Sequence, residues 1–127
     1  VAAVSSAVIL FAHGARDPEW RAPLEAVRLG VAQRLPGVRV ELAFLELMEP
    51  SLEAAVARLA EEGIARITLA PLFLAPGGHL KRDLPALVEA LSRRHPQVCL
   101  RVTPALGEAE ELQGAIAEWV CAQYRRP

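Results

Sequence analysis

Hydrophobic positions along this chain switch repeatedly between two spacings. Short, nearly continuous apolar runs fall at Val8 to Ala12, Val38 to Leu45, within Ile64 to Leu74, and at Val98 to Val102. Runs of that length bounded by turn residues read as strands, and their lack of polar alternation suits strands buried on both faces. Between and after them apolar residues recur at helical intervals: Trp20, Leu24, Val27 and Val31, then Leu52, Val56 and Leu59. The same spacing returns at Leu80, Leu84, Leu87 and Leu91 and at Leu112, Ile116, Trp119 and Val120. Four strand–helix alternations with right-handed crossovers predict one α/β domain over residues 1–127, a four-stranded parallel sheet with helices on both faces.

Turn residues punctuate the pattern where it changes period. Asp17-Pro18 offers a helix cap and first position, although Pro23 argues that regular helix begins nearer Ala22. Leu35-Pro36-Gly37 ends that helix, Pro50-Ser51 opens the second, and Gly63 stops it. Ala75-Pro76-Gly77-Gly78 leads into the third.

Composition removes several classes of function. With 14 basic and 15 acidic side chains the net charge is −1, without the basic excess that a general nucleic-acid binder needs. No apolar stretch approaches the ~20 residues of a membrane helix. The early run Ala7 to Ala12 lacks a basic segment before it and reads as a core strand rather than a signal peptide. Cys99 and Cys121 have no metal-site or C-x-x-C spacing, so they are expected to be small buried hydrophobes in a reducing, cytoplasmic setting.

Three residues of metal-ligand type stand out. His13, Glu46 and His79 are separated by equal intervals of 33 residues. One strand–helix–strand unit takes roughly 30 residues, so equal spacing of this size predicts equivalent ends of three successive strands. Open α/β sheets hold ligands at that edge. Two imidazoles and a carboxylate there would bind a borderline divalent metal and leave coordination positions open. Glu46, between Leu45 and Leu47, is expected in an apolar setting where a bare carboxylate is costly. Gly14, Gly77 and Gly78 leave room for close approach of a ligand. Arg16, Arg21, Lys81 and Arg82 cluster in the histidine-bearing segments, where they would suit a substrate with several carboxylates. His95, in Arg93-Arg94-His95-Pro96, is expected to serve only a helix end and solvent.

The segments HGARDP, VELAFLELMEPSL and PLFLAPGGHLKRDLP resemble, in order and spacing, those of the short CbiX-type sirohydrochlorin chelatases, members of the class II tetrapyrrole chelatases. The resemblance covers essentially the whole chain. It implies a flavodoxin-like fold and a lyase that inserts Fe²⁺ or Co²⁺ into sirohydrochlorin, a reduced tetrapyrrole with eight carboxylates, for sirohaem or cobalamin. It further implies His13 and His79 as catalytic residues and His13, Glu46 and His79 as metal ligands. Arg16, Gly77, Gly78, Lys81 and Arg82 would bind the substrate. The metal is the substrate and no prosthetic group is implied. Short members resemble half of two-lobed relatives, which implies a homodimer.

Rival readings remain at this point. A non-catalytic metal-binding or storage protein could use the same three residues but would lack a tetrapyrrole-sized cleft. A histidine phosphatase needs an arginine just before the histidine, where this chain has Ala12. A receiver or flavodoxin module needs paired acidic residues or a hydroxyl-rich loop after the first strand, and nucleotide-binding glycine patterns are absent.

Overall fold

The protein was analysed as a computed structural model that describes residues 5–75 and 77–127, with the side chain of His79 outside that description. Strands β1 (Ser6–Ala12), β2 (Arg39–Phe44), β3 (Arg66–Pro71) and β4 (Cys99–Val102) form one sheet, all neighbours parallel, in the order β2-β1-β3-β4. Helices α1 (Arg21–Arg34), α2 (Leu52–Glu61), α3 (Gly78–Arg94) and α4 (Glu110–Arg125) follow the strands in turn. The fold class read from the pattern is therefore present.

Local chemistry explains the element ends. The Asp17 carboxylate accepts the Glu19 amide at 3.0 Å and opens a 3₁₀ turn, Pro18–Trp20, before α1. Pro23 then falls on the third residue of α1, where an amide has no helical partner to lose. Ser51 Oγ caps α2 by accepting the Ala54 amide at 3.1 Å. Pro85 lies inside α3, where its ring removes the amide that would bond the Lys81 carbonyl.

Two apolar cores sit on opposite sides of the sheet. Ile9, Phe11, Ile67 and Leu69 meet Leu52, Val56 and Leu59 of α2 and Leu80, Leu84, Leu87 and Leu91 of α3. On the other face Leu10, Val40, Leu42 and Phe44 meet Leu24 and Val31 of α1. Thus α1 covers the β1–β2 half of its face. Helix α4 has no buried residue and packs chiefly against the 3₁₀ turn Leu106–Glu108. The helix exists where the sequence places it, but it does not lie on its own sheet.

Strand order reverses direction at β1, since β2 lies to one side and β3 to the other. The crevice at the C-terminal ends of β1 and β3 is thus the topological switch point, where ligands of such sheets bind.

Candidate active site

His13 directly follows β1, and Glu46 is the second residue after β2. The backbone ladder runs on past both strands: the Leu45 amide donates to the Ala12 carbonyl at 2.9 Å and the Glu46 amide to the His13 carbonyl at 3.0 Å. Gly14 allows this approach. Its φ is +99°, and a Cβ there would stand 1.8 Å from the Glu46 carbonyl oxygen. Beyond Glu46 the chain turns sharply through Leu47 at φ +66°, and the Met48 amide returns to the Glu46 carbonyl at 2.8 Å. Positive φ at a leucine is uncommon and costs roughly 1–3 kcal/mol, a cost that tends to collect at functional sites.

This framework sets His13 Nε2–H to donate to Glu46 Oε1 at 2.9 Å, across 33 residues of sequence. Both side chains are 55% exposed. The expectation that Glu46 sits in an apolar setting is therefore corrected: Leu45 and Leu47 are themselves exposed, and the carboxylate is met by an imidazole and solvent. The Phe73 ring stands edge-on to the His13 ring with centroids 6.3 Å apart, and Phe73 in turn packs against Phe11 in the core. The imidazole is thus braced by apolar packing on one side and bonded at its tip.

A cavity of about 310 Å³ opens beside this pair, lined by His13, Leu45, Phe73, Ala75, Gly77, Leu80 and Asp83. It lies at the switch point, between the segment after β1 and the segment after β3. A second, largely apolar cavity of about 460 Å³ adjoins it, sharing Phe73 and Leu80 and extending along α3 past Lys81, Leu84 and Pro85. Leu45, Leu47 and Leu74 add exposed apolar surface at the same edge of the sheet.

The other sequence candidates fall out as follows. His79 is the second residue of α3, eight residues past the end of β3, so the equal spacing does not reflect equivalent strand ends. Its imidazole lies outside the described residues, as does Pro76. Among the described residues no group of three His, Cys, Asp or Glu is placed to hold a metal ion. Gly77 and Gly78 face open space, with no atom within 4 Å of where a Cβ would stand, so packing does not require them. Arg16 and Lys81 are exposed, and Arg82 Nε donates to the Gly78 carbonyl at 3.3 Å. Arg21 is engaged elsewhere: it donates to the Glu49 carbonyl at 2.9 Å, lies 5.0 Å from the Phe44 ring centroid, and pairs with Glu25. His95 caps the end of α3 as expected, but its Nε2 is buried rather than solvated. Cys99 and Cys121 are both free thiols and exposed, which corrects their reading as buried.

Two residues of the site were not singled out from sequence. Phe73 looked like one more apolar residue of the third strand run. Asp83 follows His79 by four residues on α3, a spacing that puts both on one helix face and was the available signal.

These features define a parallel α/β protein with a histidine–carboxylate pair and a broad, partly apolar cleft at the switch point. The chain belongs to the CbiX family, whose model matches residues 7–123. It is 40% identical over 82 residues to the sirohydrochlorin cobaltochelatase of Methanopyrus kandleri, covering 65% of this chain and 57% of that protein. A CbiX protein from Marinobacter aquaeolei VT8 superposes with a TM-score of 0.83 at 34% identity, covering 96% of this chain and 99% of the other. SirB from Bacillus subtilis with Fe³⁺ superposes at 0.78 with 25% identity, over 97% of this chain and 48% of that one. The chain therefore spans between half and two thirds of the length of several relatives it matches. Among the described residues no helix is long and apolar enough to cross a membrane.

Proposed function

We propose that this protein is a sirohydrochlorin chelatase that inserts Fe²⁺ or Co²⁺ into the tetrapyrrole. The observation that carries the reading is the 2.9 Å contact between His13 Nε2 and Glu46 Oε1 at the mouth of the switch-point cavity. Metal–ligand bonds of ~2.1 Å meeting at a right angle separate their donor atoms by about 3 Å. The pair thus already has the spacing of two adjacent ligands, with a proton where the ion would sit. Metal binding displaces that proton.

Insertion asks the ion to shed water, the ring to offer its nitrogens, and two pyrrole N–H protons to leave. A small ligand set answers the first demand because it leaves coordination positions for the incoming nitrogens. His79, from the first turn of α3, supplies the third ligand in this reading. When the ion passes to the ring, the His13–Glu46 pair regains a proton acceptor, and one pyrrole proton returns to it. Asp83, which lines the same cavity, takes the second proton. Leu45, Leu47, Phe73 and Leu74 provide apolar surface for the flat macrocycle, while Arg16, Lys81 and Arg82 receive its carboxylates. Gly77 and Gly78, open to solvent, let the ring approach the backbone.

The two adjoining cavities support catalysis over metal storage. Cavities of this size are typical of small-molecule sites, whereas storage of an ion requires none. A second copy of the chain supplies the opposite wall of the cleft, and the protein works in the cytoplasm, in keeping with its two free, exposed thiols. Anaerobic incubation with sirohydrochlorin and Fe²⁺ or Co²⁺ in turn tests the reading. A protein-dependent change in the tetrapyrrole absorption spectrum is the expected result, and the faster metal identifies the preference.

A further inference from the structure

The turn that carries Glu46 leans on the sheet from one side only. β2 is an edge strand of the described sheet, so residues 45–50 have the segment after β1 on one side and no strand on the other. The inner limb of the turn is held to that segment by the Leu45 and Glu46 amides. The Phe44 amide donates to the Pro50 carbonyl at 2.9 Å, which closes residues 45–50 into a loop. At its tip Leu47 keeps φ at +66°. A leucine holds that conformation only where its surroundings over-determine it. The outer limb, which runs through Glu49, therefore needs a hold of its own.

Arg21, the first residue of α1, supplies it. Its Nη1–H donates to the Glu49 carbonyl at 2.9 Å, across 28 residues of sequence. The guanidinium stands 5.0 Å from the Phe44 ring centroid, within cation–π reach. Phe44 is 1% exposed, so the platform beneath the guanidinium is fixed by the core. Nε adds a longer bond to Glu25 Oε1 at 3.3 Å, on the next turn of the same helix. The planar fork of an arginine can meet a carbonyl, a ring face and a carboxylate together, which an ammonium cannot. With its fork so engaged, Arg21 is not available to a substrate carboxylate, the use its place in the sequence suggested.

From this geometry we infer that Arg21 is a positioning residue: it locks the outer limb of the turn to α1 and so holds the Glu46 carboxylate at His13. The path from one to the other is short. The Met48 amide bonds the Glu46 carbonyl at 2.8 Å, and Met48 directly precedes the Glu49 carbonyl that Arg21 holds. Release at Glu49 lets the turn at Leu47 relax toward an ordinary φ, and the 2.9 Å contact between Glu46 and His13 is then no longer fixed. Arg21 acts through the backbone and touches neither His13 nor Glu46 in doing so. The inference rests on the metal-binding role proposed above for that pair. It gives α1, which lines neither of the two adjoining cavities, a part in setting the site.

Arg21→Met tests this, because it keeps a stem to lie on Phe44 and removes the donor. In the metal-free chain, hydrogen exchange at the Phe44 and Met48 amides should quicken by about tenfold or more, the scale of one hydrogen bond to a charged group. The Leu69 amide, in the centre of the sheet, should keep its wild-type rate. Titration with Co²⁺ alone should show affinity weaker by about tenfold, the same loss carried to the pair. The sign of that change separates positioning from charge. Losing a positive charge near the site would by itself tighten the binding of a cation. An arginine that docked carboxylates would instead raise KM for sirohydrochlorin and leave Co²⁺ affinity intact. Unchanged exchange at Phe44 and Met48 overturns the inference, and so does Co²⁺ affinity equal to or tighter than that of the wild type. Should Arg21→Met fail to fold, Arg21→Lys keeps the charge but not the fork, and both readouts should move in the same directions. A wild-type chain that binds no Co²⁺ sinks the chelatase reading instead, and the exchange rates still decide whether Arg21 holds the turn.

Discussion

His13 Nε2 and Glu46 Oε1 lie 2.9 Å apart because two parallel strands carry their pairing beyond their own ends. No side-chain search is needed to bring them together, since the Glu46 amide is already bonded to the His13 carbonyl. The pair is half-exposed, so it contributes little to stability, and its geometry is free to serve a ligand.

Removing either partner should therefore affect metal before it affects folding. His13→Ala and Glu46→Gln are expected to keep unfolding free energies within about 0.5 kcal/mol of the parent, as for exposed positions generally. Titration with Co²⁺, followed by its visible absorption, should show affinity falling at least about tenfold in each variant, the scale of losing one ligand interaction of ~1.4 kcal/mol or more. Unaltered Co²⁺ affinity in both would remove them from the site.

The glycines separate structure from substrate. Gly14→Ala places a methyl group against the Glu46 carbonyl at positive φ and should destabilise the fold by more than about 1 kcal/mol, visible as a lower Tm. Gly78→Ala meets only open space in a helical turn and should leave Tm unchanged or raise it. Its turnover of a tetrapyrrole should nevertheless fall, because the added methyl group obstructs the ring. A Gly78→Ala enzyme with normal turnover would show that the ring docks elsewhere.

Much of this was legible in the sequence. The alternation of short, nearly continuous apolar runs with 3.6-residue spacing located all four strands and helices, because the central strands are buried on both faces and the helices packed on them present an apolar stripe. His13 and Glu46 were found by residue type at strand ends, where topology gathers chemistry. Three things were not legible. The six-residue segment after β3 carries His79 into α3, so equal spacing mimicked an equivalence the backbone does not have. Exposure of Glu46 depends on the turn at Leu47, and a leucine announces no positive φ. The apolar stripe of α4 looked like any core-facing helix, yet none of its residues is buried, since a sequence records that a face is apolar and not what it packs against.

Acid conditions should reveal one small stabilising network. The Arg28 hydrogen bond to Glu25 at 2.7 Å, assisted by Arg21, holds the Glu25 carboxyl below its ordinary range despite opposing burial. A carboxylate with a lowered folded pKa stabilises above its unfolded value, and the contribution disappears as pH falls through the folded value. Glu25→Gln should accordingly cost stability at neutral pH, by less than about 1 kcal/mol given the solvent exposure of the pair. The gap to wild type should close below pH ~4. Urea unfolding at the two ends of that range measures it, and a gap that widens in acid would contradict the assignment.

The most direct test of the account is the initial rate of anaerobic metal insertion into sirohydrochlorin by the wild-type chain, His13→Ala and Glu46→Gln, side by side. With Fe²⁺ or Co²⁺ the wild type should convert the tetrapyrrole spectrum well above the protein-free rate. Both folded variants should lose at least about 99% of that activity, the scale of removing a group that binds and relays in the transition state. Wild-type conversion no faster than the protein-free control with either metal, or variants that keep the wild-type rate, would contradict the proposed chelatase site.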